Sequence, residues 1–296
     1  MAARPPALPE GTKVGSFRVT GVLGYGGFGV TYKATDESDR RQVAIKEYFP
    51  HSAAVRNEQG DVEVSNEKAE EIFRWGLKRF VEEAETVLRF NHPNIVRVEQ
   101  IFGQHGTAYS VLEFIEGDSL QKWLVQAGGS PDQHSLDVFL EALLDALTLV
   151  HLNDILHRDI APKNILLRGD GAPVLIDFGS ARQLVCAQTM SMTALITPHY
   201  APYEQYLTSG QGQGPWTDIY AVAATVYELL TGQLPPEAPG RILGIDQYVP
   251  AKEAARGNFR PSFLAAIDWG LQCRREHRPQ SVDEWRRGLF ADTGHS

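Results

Sequence analysis

Three polar residues, Asp159, Asn164 and Asp177, have the types and spacing that phosphoryl transfer requires. The first ends a His157-Arg158-Asp159 triplet, and the third opens an Asp177-Phe178-Gly179 triplet thirteen residues after the Asn. Transfer from ATP uses one carboxylate to orient the hydroxyl nucleophile, and an Asp with an Asn to hold magnesium. Either triplet alone is a weak indication, because Asp and Asn also stabilise ordinary turns. Their order and separation together favour the catalytic interpretation.

These motifs resemble those of the eukaryotic-type (Hanks-type) protein kinase family. By this resemblance Asp159 is the catalytic base. Asn164 and Asp177 are the ligands of Mg²⁺, with Mn²⁺ as an alternative. Arg158 is expected to meet a phosphate on the activation loop. The continuation Lys46-Glu47-Tyr48-Phe49-Pro50 is similar to that of bacterial members, which favours a bacterial serine/threonine protein kinase.

A glycine-rich segment at 23–29 lies between two predicted strands. Glycines let backbone amides approach phosphate oxygens, although a plain hairpin turn has a similar composition. A dinucleotide site would place a helix after the glycines, whereas 30–33 has the pattern of a strand. Val43-Ala44-Ile45-Lys46 follows at the distance that the kinase family uses. The resemblance implies that ATP contacts the following residues: Leu23, Gly24, Gly26, Gly27, Gly29, Thr31, Ala44, Lys46, Glu83, Glu113, Ile115 and Leu166.

Lys46, which the resemblance places on the α- and β-phosphates as a catalytic residue, needs a carboxylate partner. An unpaired buried charge costs several kcal/mol. Glu83, nine residues before His92-Pro93, is the predicted partner. Glu82 and Glu85 are the competitors and are expected to face solvent. The segment from Glu47 to Asn66 is predicted to be an insertion before the helix, because Lys46 and Glu83 are further apart than is typical of the family.

Ala161 departs from the usual serine/threonine kinase pattern. Those kinases carry a Lys two residues after the catalytic Asp, whereas here Lys163 stands four residues after Asp159. Tyrosine kinases place an Arg at the later position, after an Ala. The absence of any positively charged side chain near the γ-phosphate would cost several kcal/mol of transition-state stabilisation. Lys163 is therefore predicted to be a catalytic residue that supplies this charge.

Thr197 bears on the choice of acceptor hydroxyl. It lies seven residues before Glu204, where serine/threonine kinases place a Thr that hydrogen-bonds the catalytic Asp, so serine/threonine specificity is expected. Dual or tyrosine specificity is the alternative. The segment 177–204 has the length and polarity of an activation segment, and a phosphate on it would pair with Arg158 and order it. The regulatory candidates are Thr189, Ser191, Thr193 and Thr197, although flexible loops are often rich in Ser and Thr for no such reason.

Three further residues are predicted to be structural. Glu204 closes a Pro202-Tyr203-Glu204 triplet, in the place where the family has Ala-Pro-Glu, and by resemblance pairs with Arg278. Asp218 stands at the start of a helix, where a carboxylate is favourable on capping and dipole grounds. In the family it also holds the catalytic-loop backbone. Small-molecule phosphotransferases generally lack this arrangement, so these residues discriminate against that class.

Composition limits the remaining function classes. The chain has 296 residues, a formal net charge of −9 and 43% hydrophobic residues, which is ordinary for a soluble globular protein. The negative charge argues against a nonspecific nucleic-acid partner. Cys186 and Cys273 form no metal-ligand spacing, and no apolar run is long enough for a membrane helix. A cytoplasmic protein with protein substrates is expected, or the cytoplasmic kinase domain of a longer protein.

Periodicity predicts an α+β architecture. Alternating runs at 17–23, 30–34 and 42–46 indicate an antiparallel meander, a helix is predicted over 66–90, and two more strands over 95–102 and 108–115. Longer helical patterns then dominate at 135–153, 218–231, 262–274 and 281–290. The resemblance implies a bilobal kinase domain at 17–290 with a nucleotide cleft. Its N-lobe covers about 17–112, with an antiparallel sheet and one major helix, the hinge covers 113–117, and the mainly helical C-lobe covers 118–290. Residues 1–15 are predicted to be a flexible lead-in.

Two classes of function therefore remain in competition. The favoured one is ATP- and Mg-dependent phosphoryl transfer to Ser or Thr of proteins, with autophosphorylation of the activation loop. The alternative is a nucleotide-binding pseudokinase that acts as a scaffold. Ala161 and the altered Ala-Pro-Glu triplet favour this alternative. A thermal shift with ATP is expected in both cases, and phosphate transfer only in the first.

Overall fold

A computed structural model describes residues 7–127, 130–178, 196–207 and 212–292. The chain divides into two compact units, residues 1–115 and 116–296. The division falls after Ile115, within the range predicted to be a hinge. Among the described residues, none of the helices combines the length and apolar character needed to cross a membrane.

The first unit is built on a six-stranded antiparallel sheet with the strand order β1-β2-β3-β4-β8-β7. A two-stranded hairpin, β5 and β6, and one long helix, α1, complete it. The strands are β1 (Lys13–Val14), β2 (Phe17–Gly26), β3 (Gly29–Asp36), β4 (Gln42–Tyr48), β5 (Ala54–Arg56), β6 (Val62–Val64), β7 (Val98–Gln104) and β8 (Thr107–Glu113), and α1 is Glu67–Val87. The predicted meander and helix are both present, with the predicted boundaries shifted by a few residues.

Over residues 43–47 of β4, buried and partly buried side chains alternate between the two faces of the strand. Val43, Ile45 and Glu47 are fully buried on one face, whereas Ala44 and Lys46 are only partly buried on the other. Val43 and Ile45 belong to a core cluster that includes Tyr109 of β8. One face of β4 therefore stabilises the unit, and the other presents a lysine.

The lead-in differs from its prediction. Leu8 and Val14 are both buried in the core cluster of the sheet, and β1 pairs with β2 through Val14 and Phe17. Burial of these apolar side chains stabilises the segment by about 1.5–3 kcal/mol each. The prediction of a flexible lead-in was therefore wrong for residues 7–15, because two isolated apolar residues among prolines and polar residues gave no periodic signal.

The segment between Lys46 and α1 forms a small substructure of its own. Ala54 to Arg56 pairs with Val62 to Val64 in an antiparallel hairpin. The Asn66 side chain then accepts a hydrogen bond from the Ala69 amide and caps α1, as Asn commonly does at a helix N-terminus. The sequence predicted an insertion here but not its hairpin.

A buried carboxylate, Glu47, anchors this hairpin to the sheet. Its oxygens accept hydrogen bonds from the hydroxyls of Tyr32 at 2.7 Å and Tyr109 at 2.8 Å, and from Arg56 Nη2 at 2.6 Å. The Leu8 amide in turn donates to the Tyr32 hydroxyl at 3.1 Å. Burial and the Glu47 carboxylate raise the pKa of both tyrosines, so both hydroxyls keep the protons that they donate. One carboxylate therefore ties the lead-in, the sheet and the hairpin together.

The second unit is mainly helical. It contains α2 (Leu120–Ala127), α3 (Gln133–Leu152), α4 (Pro215–Thr231), α5 (Ala238–Ile242), α6 (Ala251–Ala254), α7 (Pro261–Gly270) and α8 (Val282–Leu289), with a small sheet of β9 (Gly117–Ser119), β10 (Ile165–Arg168) and β11 (Pro173–Leu175). α3, α4, α7 and α8 correspond to the four predicted helices. The small sheet, α2 and the two shortest helices were not predicted, because each is too short to show a period.

Helix α4 is the central helix of this unit. Nearly all of its residues are buried, including Asp218, Thr225 and Thr231 among the polar ones. The helix begins with Pro215 at its first turn and ends at Gly232, whose φ of +66° makes it a left-handed cap, a common helix ending. Each polar side chain of a helix that is buried on all sides needs a specific hydrogen-bond partner. Among these side chains, that of Asp218 contributes to the site.

We predict that Arg56→Met destabilises the protein by about 3 kcal/mol, because it removes a cation from a buried ion pair and leaves the Glu47 carboxylate without its counter-charge. Both side chains are almost completely buried. The measurement is urea unfolding. The matched control is Arg74→Met, which breaks the exposed pair with Glu70 and should cost less than about 0.5 kcal/mol. Equal effects of the two substitutions would contradict the anchoring role of Glu47.

Candidate active site

The carboxylate of Asp159 is held by two side chains of the second unit. Thr197 Oγ1 donates to Asp159 Oδ1 at 2.7 Å, and Asn164 Nδ2 donates to Asp159 Oδ2 at 2.8 Å. The same Asn164 nitrogen also donates to the Asp159 carbonyl at 2.7 Å. Asp159 is 7% exposed. These bonds fix the orientation of a carboxylate that retains limited access to solvent, as a catalytic base requires.

Lys163 and Ala161 occupy different environments in the same loop. Lys163 Nζ lies 3.8 Å from Asp159 Oδ2, and its side chain is 46% exposed. Ala161 is buried, so a long cationic side chain at position 161 would have to leave that environment. Lys163 is the only cation between residues 159 and 167, and it lies half-exposed beside the Asp159 carboxylate.

Asp218 fixes the backbone of the catalytic loop. Its Oδ2 accepts from the His157 amide at 2.9 Å and from His151 Nε2 at 2.9 Å, and its Oδ1 accepts from the Arg158 amide at 2.8 Å. Burial by itself raises the pKa of this fully buried carboxyl, but the hydrogen bonds from His151 and from the Arg158 amide offset it and the pKa is lowered overall. Asp218 therefore stays ionised and accepts all three bonds.

The loop needs this anchor because of its backbone conformation. Arg158 has φ +67° and Asp177 has φ +57°, both in the left-handed region that costs a residue with a side chain roughly 1–2 kcal/mol. Such conformations persist where surrounding bonds hold them. For Arg158 the Asp218 carboxylate supplies such a bond.

His157 links the loop to the segment that carries Asp177. Its Nε2 lies 3.1 Å from the Ile176 carbonyl, and its ring packs on Phe178 with centroids 4.5 Å apart. Burial lowers the pKa of this histidine, despite the opposing carboxylates of Asp218 and Asp159. The imidazole is therefore neutral in the folded protein, and Nε2–H donates to the carbonyl.

Asn164 and Asp177 supply oxygen ligands of the kind that Mg²⁺ prefers. Both hydrogen bonds of Asn164 use its amide nitrogen, so the amide oxygen is the atom that would bind a cation. The Ile176 amide donates to the Asn164 carbonyl at 3.0 Å, which connects the two ligand segments. Within the described ranges no group of three His, Cys, Asp or Glu side chains forms a metal site by itself. Two protein oxygens suit a metal whose other ligands are phosphates and water.

In the first unit, Lys46 faces the carboxylate of Glu83 on α1. The Lys46 Nζ–Glu83 Oε1 distance is 4.0 Å, and both side chains are largely buried. Glu82 instead pairs with Lys78 at 3.8 Å and Arg79 at 2.8 Å. The third candidate, Glu85, is exposed. The structure thus brings together the pair that the sequence analysis selected.

The glycines of the 23–29 segment differ in whether the surrounding packing leaves room for a Cβ. Gly26 and Gly29 pair at the end of the β2–β3 hairpin, and a Cβ on Gly29 would lie 1.9 Å from the Glu47 carbonyl oxygen. Gly29 is therefore required by its close approach to β4. A Cβ on Gly24 or Gly27 would meet nothing within 4 Å, so packing does not require glycine there. Leu23 is exposed beside them.

The predicted adenine contacts lie on neighbouring strands. Thr31 of β3 is paired with Lys46, and Ala44 of β4 with Leu112 of β8. Glu113 ends β8, with its carboxylate accepting from the Arg97 amide at 3.0 Å, and Ile115 is buried. In the second unit, Leu166 of β10 is half-buried between β9 and β11. Thr31 and Ala44 lie in strands that were predicted, whereas Ile115 lies beyond the end of β8 and the strand of Leu166 was not predicted.

Glu204 and Arg278 form a buried bidentate pair. The two contacts are 2.7 Å and 2.9 Å, and Arg278 also donates to the carbonyls of Gln272, Cys273 and Trp216. Thr217 Oγ1 donates to the same Glu204 carboxylate at 3.0 Å. Every charge and donor is satisfied, which is what makes a buried pair favourable.

Arg158 is described, whereas residues 179–195 of the predicted activation segment lie outside the described residues. The Arg158 Nε is buried, and within the described ranges it has no hydrogen-bond partner. Thr189, Ser191 and Thr193 lie outside the described residues, as does Cys186, whereas Thr197 is described. The regulatory assignment of the first three stays a prediction.

The sequence analysis missed His151 and Thr217. His151 gives one of the three hydrogen bonds to Asp218, and Thr217 gives one to Glu204. Thr217 could have been suspected from its position at the start of a helix beside Asp218. His151 carries no such signal, because it is one polar residue in the last turn of an amphipathic helix.

Comparison with known proteins agrees with this geometry. The family model of the protein kinase domain matches residues 17–253. The serine/threonine-protein kinase PrkC of Bacillus subtilis is 28% identical over 86% of this chain and 36% of its own length. Pkn1 of Myxococcus xanthus, also a serine/threonine-protein kinase, is 32% identical over 94% of this chain and 38% of its own length. Among solved structures, the apo form of PpkA-294 superposes with a TM-score of 0.87 at 35% identity, covering 96% of this chain and 99% of that one.

The chain belongs to the protein kinase family, and its similarity to bacterial serine/threonine kinases places it among the Hanks-type members. The predicted fold, an antiparallel N-terminal sheet with one major helix followed by a mainly helical part, is confirmed. The family uses ATP and a divalent metal ion. This chain spans between 36% and 38% of the lengths of the two curated relatives named above.

We predict that stability falls with acidification through about pH 6.5, because the unfolded state protonates His157 at its ordinary pKa while the folded state resists protonation. The loss attributable to His157 grows as the pH falls from about 6.5 to 5.5. Chemical unfolding of the parent and of His157→Phe between pH 7.5 and pH 5.5 measures it, and the variant should lack this part of the slope. His134→Phe, at an exposed position, is the control and should follow the parent. A His157→Phe slope equal to that of the parent would rule the assignment out.

Proposed function

We propose that this protein transfers the γ-phosphoryl group of ATP to serine or threonine hydroxyls of protein substrates, with Mg²⁺ as the metal. The observation that carries the proposal is the orientation of Asp159 by Thr197 on one carboxylate oxygen and by Asn164 on the other. Family membership and the names of the relatives support the same activity. The net charge of −9 favours protein over nucleic acid as the partner.

Each residue has a defined part in this proposal. Asp159 would accept the hydrogen bond of the substrate hydroxyl and orient its oxygen for attack. Lys46, oriented by Glu83, would contact the α- and β-phosphates, and Gly24 and Gly27 would leave room for backbone amides at the phosphates. Asn164 and Asp177 would hold the metal, with Mn²⁺ as an alternative to Mg²⁺. When bound, the metal neutralises charge on the phosphate oxygens.

Serine/threonine specificity is proposed on the Thr197 contact. Its hydroxyl bonds directly to Asp159, which is the role the family gives to a Thr in serine/threonine kinases. A tyrosine kinase generally has a Pro at this position, and Pro has no hydroxyl to donate. Dual or tyrosine specificity is the second possibility, since Ala161 and Lys163 resemble the tyrosine kinase loop.

Autophosphorylation of the activation segment belongs to the same proposal. Arg158 carries a buried Nε that has no partner within the described ranges, and a phosphate oxygen would satisfy it. The acceptors proposed are Thr189, Ser191 and Thr193. A cytoplasmic location is proposed as well, either for this protein alone or for the kinase domain of a longer one, since its relatives are longer.

A nucleotide-binding pseudokinase is the rival, and the burial of the apolar Ala161 favours it. The discriminating experiment incubates the protein with labelled ATP and Mg²⁺, with itself and a generic protein as acceptors, beside Asp159→Asn. The proposal predicts label on phosphoserine or phosphothreonine in the parent and a loss of about a thousandfold or more in the variant. A thermal shift with ATP in both proteins and label in neither would instead establish the pseudokinase.

We further predict that Lys163→Ala lowers kcat by about a hundredfold while the KM for ATP changes less than about threefold, because the lost charge acts on the transition state more than on bound ATP. Steady-state kinetics with varied ATP separates the two parameters. Lys122→Ala removes a similarly exposed lysine that pairs with Asp118 and serves as the control. Parental kcat in the Lys163 variant would show that the γ-phosphate charge is met elsewhere.

A further inference from the structure

Gln205 is a buried amide whose side chain reaches the catalytic loop. Its Nε2 donates to the Arg158 carbonyl at 2.7 Å, and the residue is 5% exposed. It lies in a short 3₁₀ helix, Tyr203–Tyr206, directly after Glu204. No part of the phosphoryl-transfer mechanism above uses it.

The carbonyl that Gln205 holds belongs to the peptide that joins Arg158 to Asp159. The Arg158 amide is held from the other side by Asp218 Oδ1 at 2.8 Å, and the residue between these two bonds has φ +67°. The Asp159 amide lies 3.4 Å from His157 Nδ1. The carbonyl oxygen of the peptide before Asp159 accepts the shorter, 2.7 Å bond from Gln205, and this bond restrains rotation of the peptide.

The support beneath Gln205 is rigid. The neighbouring Glu204 is fixed by its bidentate pair with Arg278 and by Thr217. The main-chain N–H of Gln205 donates to the Pro202 carbonyl at 3.0 Å. A donor on such a support resists displacement, because the buried ion pair would have to break for the turn to move. The hydrogen bond from Gln205 to the Arg158 carbonyl thus connects the catalytic loop to the Glu204–Arg278 pair.

We propose that Gln205 is a positioning residue for phosphoryl transfer, whose side-chain amide sets the peptide plane before Asp159 and hence the direction of the Asp159 carboxylate. This inference rests on the proposed kinase activity. Among the described residues, the Gln205 side chain donates to the Arg158 carbonyl and not to the carboxylate of Asp159 or to the proposed metal ligands. Its effect should therefore appear in the chemical step and not in nucleotide binding.

The test compares Gln205→Met, which keeps the length of the side chain and removes the donor, with the parent. A displaced catalytic group loses rate steeply, so kcat is expected to fall about tenfold while the KM for ATP stays within about twofold of the parent. The control is Gln272→Met, which removes an exposed amide that also donates to a main-chain carbonyl, that of Asp268 at 3.2 Å. Its kcat should equal that of the parent. If the Met variant does not fold, Gln205→Asn gives the same comparison, because its shorter side chain keeps a polar amide but does not reach the Arg158 carbonyl.

A crystal structure of the Gln205 variant gives a readout that does not need activity. The proposal predicts a rotated Arg158–Asp159 peptide and a lengthened bond from Thr197 to Asp159, with the Glu204–Arg278 pair intact. An unchanged loop, or a parental kcat, would overturn the positioning role. A parent that transfers no phosphate would refute the proposed function instead, and the crystal structure would still decide whether Gln205 orients the loop.

Discussion

The second unit depends on one buried carboxylate, that of Asp218 in the central helix α4. It accepts the amides of His157 and Arg158 and the His151 imidazole, and so holds a backbone that includes a left-handed Arg158. Because a buried carboxylate is costly without compensating bonds, loop and helix require each other. Asp159 directly follows the two residues whose amides this carboxylate holds.

In the first unit, too, a buried carboxylate fixes the backbone next to a proposed site residue, and here both lie on one strand. β4 presents Lys46 toward Glu83 on one face, and on the other buries Glu47 among Tyr32, Tyr109 and Arg56. The strand that positions the lysine is thus fixed by the residue next to it. The hairpin β5–β6 is part of this arrangement, because its Arg56 is the cation that pairs with the buried Glu47 carboxylate.

Most of this architecture could be predicted from local patterns and motif resemblance. The periodic elements β2, β3, β4, α1, α3 and α4 were predictable because each is long enough to show its period. The Lys46–Glu83, Glu204–Arg278 and Thr197–Asp159 contacts followed from the resemblance. What failed has a common cause. The missed features are contacts between residues separated in sequence, made by single side chains that follow no periodic pattern. They are the Glu47 network, the buried Leu8 and Val14, the bond from His151 to Asp218, and the bond from Gln205 to Arg158.

The Asp218 carboxylate holds the loop before Asp159 through the amides of His157 and Arg158. Residue-resolved amide hydrogen exchange in the parent and in Asp218→Asn measures this hold, with the amides of α7 as an internal reference. We expect the two loop amides to lose protection by about a hundredfold in the variant, while those of α7 keep theirs. Equal protection of both loop amides in the two proteins would contradict the claim.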